Sequence, residues 1–165
     1  MKTNTLFKIL IDGLFVSQLV GVIGVAYILP FGILKINQNN APVETWEAIH
    51  WTIIILSFIS YVFFVIALYH LRKIAKHLLF DNYFTIPIIN SLKKSGYMFI
   101  CSGFTTFVVV VIEFINNLSN NKFELIYDTD FMICLFMTSI GLFFLIQSKA
   151  LLSARELKHE NDLTI

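Results

Sequence analysis

The chain has 165 residues, 57% of them hydrophobic and 14% charged, against roughly 45–50% apolar and about 25% charged in a soluble domain. Residues 13–34, 48–71, 95–112 and 131–148 contain no Asp, Glu, Lys or Arg, and a small water-soluble domain has too little interior to hide four such runs. The same composition excludes disorder. With 12 basic against 11 acidic residues, net +1, the chain also lacks the electrostatic footprint of a direct nucleic-acid binder.

A bilayer core about 30 Å thick needs about 20 helical residues at about 1.5 Å each, and all four runs approach or exceed that. Helices are expected because lipid leaves no partner for backbone groups outside the segment. Continuous apolar runs such as 52–68 lack the alternation of a barrel strand. The expected fold is therefore all-α: a polytopic membrane protein with four transmembrane helices and both termini cytoplasmic, forming a single domain over 1–165.

The first span is expected over 9–34. Its 22 uncharged residues end in Tyr27-Ile28-Leu29-Pro30-Phe31-Gly32. That is longer than the roughly 7–15 residues of a signal-peptide core and has no small-x-small cleavage site, so it reads as a retained helix. Asp12 lies at its edge, four residues after Lys8. An acid in a membrane helix is a functional candidate, but this one is about a turn from the headgroups and within reach of Lys8, so pairing at the interface is the plainer reading. Gly13, Ser17, Gly21 and Gly24 share one helix face, a small-residue stripe expected to let helix backbones approach closely.

A polar loop, 35–47, contains Asn37-Gln38-Asn39-Asn40 and ends beside Trp46. The second span, 48–71, is expected to continue as a helix through Arg72-Lys73-Ile74-Ala75-Lys76-His77-Leu78-Leu79, its basic side chains snorkelling at the headgroups. Asp81-Asn82 marks a turn within the connection 72–94, and Thr85 is placed to cap a third helix in which an early Pro87 is tolerated. The third span, 95–115, ends near Glu113, which lies about 28 Å beyond Lys94 along a helix and reads as a solvated helix end. A second polar loop leads to the fourth span, 131–152, followed by a tail, 153–165.

Basic residues set the direction. Lys2 and Lys8, Arg72, Lys73, Lys76, Lys93 and Lys94, and Lys149, Arg155 and Lys158 fall on one side, against only Lys35 and Lys122 on the other. Ten against two is a positive-inside signal placing the termini, the 72–94 connection and the tail in the cytoplasm. Tyr27, Trp46, Trp51 and Tyr127 sit at expected outer boundaries and Tyr69 and Tyr97 at inner ones, where amphipathic rings are favoured.

Cys101 and Cys134 lie at depths differing by roughly 14 Å, too far apart for a disulfide, and read as packing residues. His50, His70, His77 and His159 contain no i, i+4 pair of the zinc-helix kind. His70 and His77 are about 10.5 Å apart along a helix; a pH response is conceivable chemistry for them, and interfacial polarity is the ordinary reading. Thr105, Thr106, Thr138, Ser139 and Gln147 are expected to cross-bond helices. In the tail, Glu156, Glu160 and Asp162 interleave with Arg155 and Lys158, while Leu152, Leu157 and Leu163 supply an apolar side. One reading is a solvated helix end. The sharper one docks the tail on the basic connection, Glu156 and Glu160 facing Arg72, Lys73 or Lys76.

Two segments carry a family resemblance. Leu79-Phe80-Asp81-Asn82-Tyr83-Phe84-Thr85, followed by Ser91-Leu92-Lys93-Lys94-Ser95-Gly96, and the ending Ala154-Arg155-Glu156-Leu157-Lys158-His159-Glu160-Asn161-Asp162-Leu163-Thr164-Ile165 resemble the bacterial four-helix membrane proteins grouped as domain of unknown function 2975. Asp81-Asn82 stands here where a Gly is common in that family. The resemblance implies architecture and a bacterial cytoplasmic membrane location more than activity. By association of neighbouring genes it also implies a helix-turn-helix transcription regulator as partner.

No His-Glu-x-x-His, Gly-x-Ser-x-Gly or phosphate-binding Gly-rich loop occurs, so neither enzymatic activity nor a cofactor is expected. The first functional reading is a regulatory or scaffold protein in the lipid bilayer. Its partner-binding cytoplasmic face would comprise Arg72, Lys73, Lys76, Phe84, Thr85, Lys93, Lys94, Glu156, Leu157, Glu160 and Asp162. The alternatives are a small transporter or channel formed by a homo-oligomer, which calls for a coupling acid nearer the midplane than Asp12, and a membrane immunity protein.

Overall fold

The computed structural model describes residues 3–28, 48–78, 85–119 and 129–163. They form four helices: α1 (Thr3–Ile28), α2 (Ala48–Leu78), α3 (Ile86–Ser119) and α4 (Thr129–Leu163). All four are long and apolar enough to cross a membrane, and large apolar side chains such as Val20, Phe104, Phe136 and Ile146 are more than 60% exposed along their flanks. Such surfaces need lipid around them; the chain is a multi-pass membrane protein. The 35–47 loop with Trp46, the Asp81-Asn82 turn, Phe84, Lys122, Tyr127 and the Asp162 side chain lie outside the described residues.

The helices run antiparallel in chain order. Backbones approach within 8 Å only between α1 and α2, α2 and α3, and α3 and α4. The array is therefore open, with α3 the most enclosed helix and α1 the least. One end gathers the start of α1, the end of α2, the start of α3 and the end of α4; it is called the basic end below.

Association of helices in lipid relies on close packing and hydrogen bonds, because the surrounding tails are as apolar as the side chains. The sequence meets this with a seven-residue repeat of buried positions, the central ones held by small residues. On α3 the pairs Ile88/Ile89, Ser95/Gly96, Ser102/Gly103 and Val109/Val110 are all buried. On α2 the repeat is Ser60, Ala67 and Ile74, and on α4 it is Cys134, Gly141 and Ser148. A repeat of seven keeps one seam facing a neighbour along the whole helix.

Where contacts are resolved on α3, the first member of each pair serves α2 and the second serves α4. Ser95 Oγ donates to the Ala67 carbonyl at 3.0 Å. Ser60 Oγ donates to the Ser102 carbonyl at 2.9 Å while Ser102 Oγ donates to the Ser60 carbonyl at 3.0 Å, and Thr106 Oγ1 lies 2.8 Å from Ser60 Oγ. On the other flank a Cβ at Gly141 would stand 2.7 Å from the Gly96 carbonyl oxygen and 2.9 Å from the Ile100 amide nitrogen. Gly103 likewise abuts Thr138 and the Cys134 carbonyl. Of the five residues expected to cross-bond helices, Thr106 does so; the hydroxyls of Thr105, Thr138 and Ser139 each donate to the carbonyl four residues back in their own helix.

Two apolar clusters complete the packing. One holds Ala67, Leu68 and Phe99, flanked by Phe15, Phe64 and Phe144. The other lies nearer the basic end, with Ile74, Ile88 and Leu92 flanked by Leu78 and Leu151. Helices of 31, 34 and 35 residues exceed the roughly 20 needed for the hydrocarbon core, and the second cluster keeps their extensions packed.

The α1 stripe behaves otherwise. Among the described residues, nothing beyond the adjoining backbone of α1 lies within 4 Å of a Cβ placed at Gly13 or Gly24, and Ser17 Oγ donates to the Leu14 carbonyl of its own helix. Only Gly21 meets a neighbour, the Tyr61 hydroxyl. Close backbone approach is thus the work of α2, α3 and α4.

Gly141→Leu should therefore lower stability by about 1–3 kcal/mol or more through overpacking, while Gly24→Leu stays near wild type; thermal unfolding in detergent checks both. Ser60→Ala should cost about 0.6 kcal/mol and no more than about 1.7 in the same assay.

Candidate functional site: the basic end

Asp12 is joined to Arg72, not to Lys8. Arg72 Nε donates to Asp12 Oδ1 at 2.6 Å across 60 residues of sequence. The guanidinium also lies 5.4 Å from the centroid of the Phe15 ring, and Phe15 packs at 6.2 Å from Tyr69. The reason is geometric: Arg72 projects from α2 toward α1, and an arginine fork held against an aromatic face is already oriented for a carboxylate. Asn4 Nδ2 adds a bond to the Leu78 carbonyl at 3.1 Å, satisfying the end of α2. Further along, the Tyr61 hydroxyl donates to Gln18, with Oε1 at 2.6 Å and the carbonyl oxygen at 2.9 Å. These polar ties hold the least enclosed helix. Asp12 and Arg72 thus belong to a structural latch.

The remaining cations do not form one face. Lys93 and Lys94 are adjacent in sequence, yet a helix turns about 100° between them. Lys93 lines a groove between α3 and α4, whereas Lys94 lines a recess between α2 and α3 with Lys73 and Lys76. The α3–α4 groove encloses about 320 Å³. Its floor is apolar, from Ile86, Ile89, Leu145 and Leu152, and its rim carries Lys93, Lys149 and Arg155.

The tail continues α4 as helix, with Glu156, Leu157 and Glu160 exposed. Arg72, one of the expected docking partners of Glu156 and Glu160, is engaged by Asp12; Cα atoms of α4 come within 8 Å of α3, and not of α2, among the described helices. Thr85 sits just before α3, where its carbonyl accepts from the Ile88 and Ile89 amides at 3.1 and 3.2 Å. Its hydroxyl is buried without a hydrogen-bond partner among the described residues, so the cap is made by backbone, not by the side chain as expected.

One feature escaped the reading of residues one at a time. A cavity of about 420 Å³ opens among α2, α3 and α4 within the apolar spans, lined by Ser57, Ser60, Tyr61, Ser102, Thr106 and Glu113. Glu113, expected as a solvated helix end, contributes to its wall. Cys101 and Cys134 are free thiols, one exposed and one buried.

The latch makes its own prediction. Asp12→Asn and Arg72→Gln should each loosen α1, with a coupling of under about 1 kcal/mol in a double-mutant cycle because the pair is partly exposed. High salt should shrink that coupling, and Lys8→Gln should leave it unchanged; unfolding in detergent at low and high salt is the measurement.

No curated protein and no solved structure matches the chain. The family described as "Protein of unknown function (DUF2975)" matches residues 34–165, which takes in α2, α3, α4 and both basic recesses and leaves out α1. Over that length the chain belongs to this family of unknown function.

Proposed function

We propose that this protein is a non-enzymatic regulatory or scaffold protein of the bacterial cytoplasmic membrane, with both termini inside, whose α3–α4 groove receives an acidic amphipathic segment of a cytoplasmic partner. The observation that carries this reading is the groove. Three cations and an apolar floor, with no carboxylate among the described lining residues, complement a helix with leucines on one face and acids at its edge. The cluster of Ile74, Ile88 and Leu92 on the α2 side of α3 packs the start of α3, and a preformed platform lowers the ordering cost of binding. The orientation rests on the ten-to-two distribution of basic residues. The partner class is a helix-turn-helix regulator, the association that the family resemblance implies.

A regulator encoded beside this gene should co-purify with the detergent-extracted chain, and Lys93→Glu with Arg155→Glu should lower its recovery about tenfold or more by reversing the rim charge. Lys158→Glu, outside the groove, should change recovery little. Absence of the regulator from the wild-type preparation would overturn the partner assignment. A C-terminal alkaline phosphatase fusion that proves active would overturn the orientation.

A transporter or channel is the second reading, favoured by the cavity of about 420 Å³ with Glu113 and hydroxyl groups on its wall. A flux abolished by Glu113→Gln, with regulator recovery unchanged, would put this reading first.

A further inference from the structure

The recess between α2 and α3 is chemically unlike the α3–α4 groove. It encloses about 460 Å³. His70, Lys73, Lys76 and His77 come to it from α2, and Ser91 and Lys94 from α3. Among the described residues, no carboxylate and no large apolar side chain lines it. The ion pair of Asp12 with Arg72 belongs to the α1 flank of α2. Three lysines border one recess, and like charges gathered at one place favour an anion between them. His70 Nδ1 is buried at this recess without a hydrogen-bond partner among the described residues, an unmet polar group of the kind a ligand satisfies. The Lys73 ammonium rests 4.6 Å from the Tyr69 ring centroid, which holds it near the boundary of the membrane.

Depth selects the anion. The 31 residues of α2 span about 46 Å at about 1.5 Å each, close to the roughly 40–45 Å of a bilayer including its headgroups. Tyr69 and Tyr97, both more than 40% exposed, mark the boundary at this end. Lys73, Lys76 and His77 lie within the next two turns of α2 beyond Tyr69, at the level of the lipid phosphates. Basic recesses between membrane helices at this depth bind anionic headgroups.

From this geometry we infer that the α2–α3 recess binds the phosphate of an anionic phospholipid, with Lys73, Lys76 and Lys94 as its cationic contacts and His70 and Ser91 as hydrogen-bonding groups. The site is separate from the partner groove, and the inference does not depend on the identity or existence of a protein partner.

The test uses the full chain in a neutral detergent, titrated with phosphatidylglycerol, phosphatidylcholine or inorganic phosphate while thermal stability and bound lipid are followed. Phosphatidylglycerol should raise the unfolding temperature saturably and co-purify at a fixed ratio, whereas phosphatidylcholine should do neither. Lys76→Gln with Lys94→Gln should weaken the phosphatidylglycerol response about tenfold or more. Lys93→Gln with Lys149→Gln, in the neighbouring groove, should weaken it less than about threefold, the share of general surface charge. Unchanged unfolding of both variants in phosphatidylcholine shows that they are folded; if the Lys76/Lys94 variant is not, Lys94→Gln alone replaces it. Equal responses to the two lipids, or equal losses in the two variants, would overturn the site. Saturation by inorganic phosphate at concentrations that displace the lipid would overturn the lipid assignment in favour of a soluble phosphate. Loss of regulator recovery without loss of lipid binding, or the converse, separates the two proposals.

Discussion

The packing of α3 against both neighbours depends on backbone approach, and that approach depends on the absence of side chains at particular positions. Gly96 and Gly141 face each other so closely that neither tolerates a Cβ without displacement. On the opposite flank, Ser60 and Ser102 exchange hydroxyl-to-carbonyl bonds. In water such contacts would be secondary to apolar burial. In lipid there is little solvent penalty for separating apolar helices, so dispersion at short range and a few hydroxyl bonds take the leading role. The basic end is divided because α3 packs between α2 and α4, with one recess on its α2 side and one on its α4 side.

That arrangement divides what looks in sequence like one basic patch. Arg72 turns to α1 and is neutralised by Asp12. Lys73, Lys76 and Lys94 turn into the α2–α3 recess. Lys93, Lys149 and Arg155 rim the α3–α4 groove. The three groups have different surroundings: an aromatic shelf and a carboxylate, a recess lined mainly by polar side chains, and an apolar floor. Their chemistry differs accordingly, even though a count of charge treats them alike. The latch removes Asp12 from consideration as an isolated intramembrane acid, and the polar cavity brings Glu113 forward instead.

Some of the packing was legible in principle. The pairs Ser95-Gly96 and Ser102-Gly103, seven residues apart, and the spacing of Cys134, Gly141 and Ser148 stand in the sequence with the signature of a packed seam. The stripe on α1, by contrast, is equally plain in sequence and meets a neighbour only at Gly21. Small residues permit a close approach but do not say which helix makes it. Thr105, Thr138 and Ser139 teach the same lesson for hydroxyls, because a carbonyl four residues back in the same helix is always available to them.

By itself the sequence determined that this is a helical protein of the membrane. Charge-free runs of about 20 residues have one stable arrangement in hydrocarbon, and the transfer cost of charge acts locally on each segment. It determined equally that basic residues gather at one end of the helices. Only the tertiary structure decided which of them share a recess, that Asp12 meets Arg72, and that α3 packs against both α2 and α4. Those outcomes depend on the rotation of each helix about its axis, which is set by where neighbouring backbones can come closest and not by the hydropathy of any one segment.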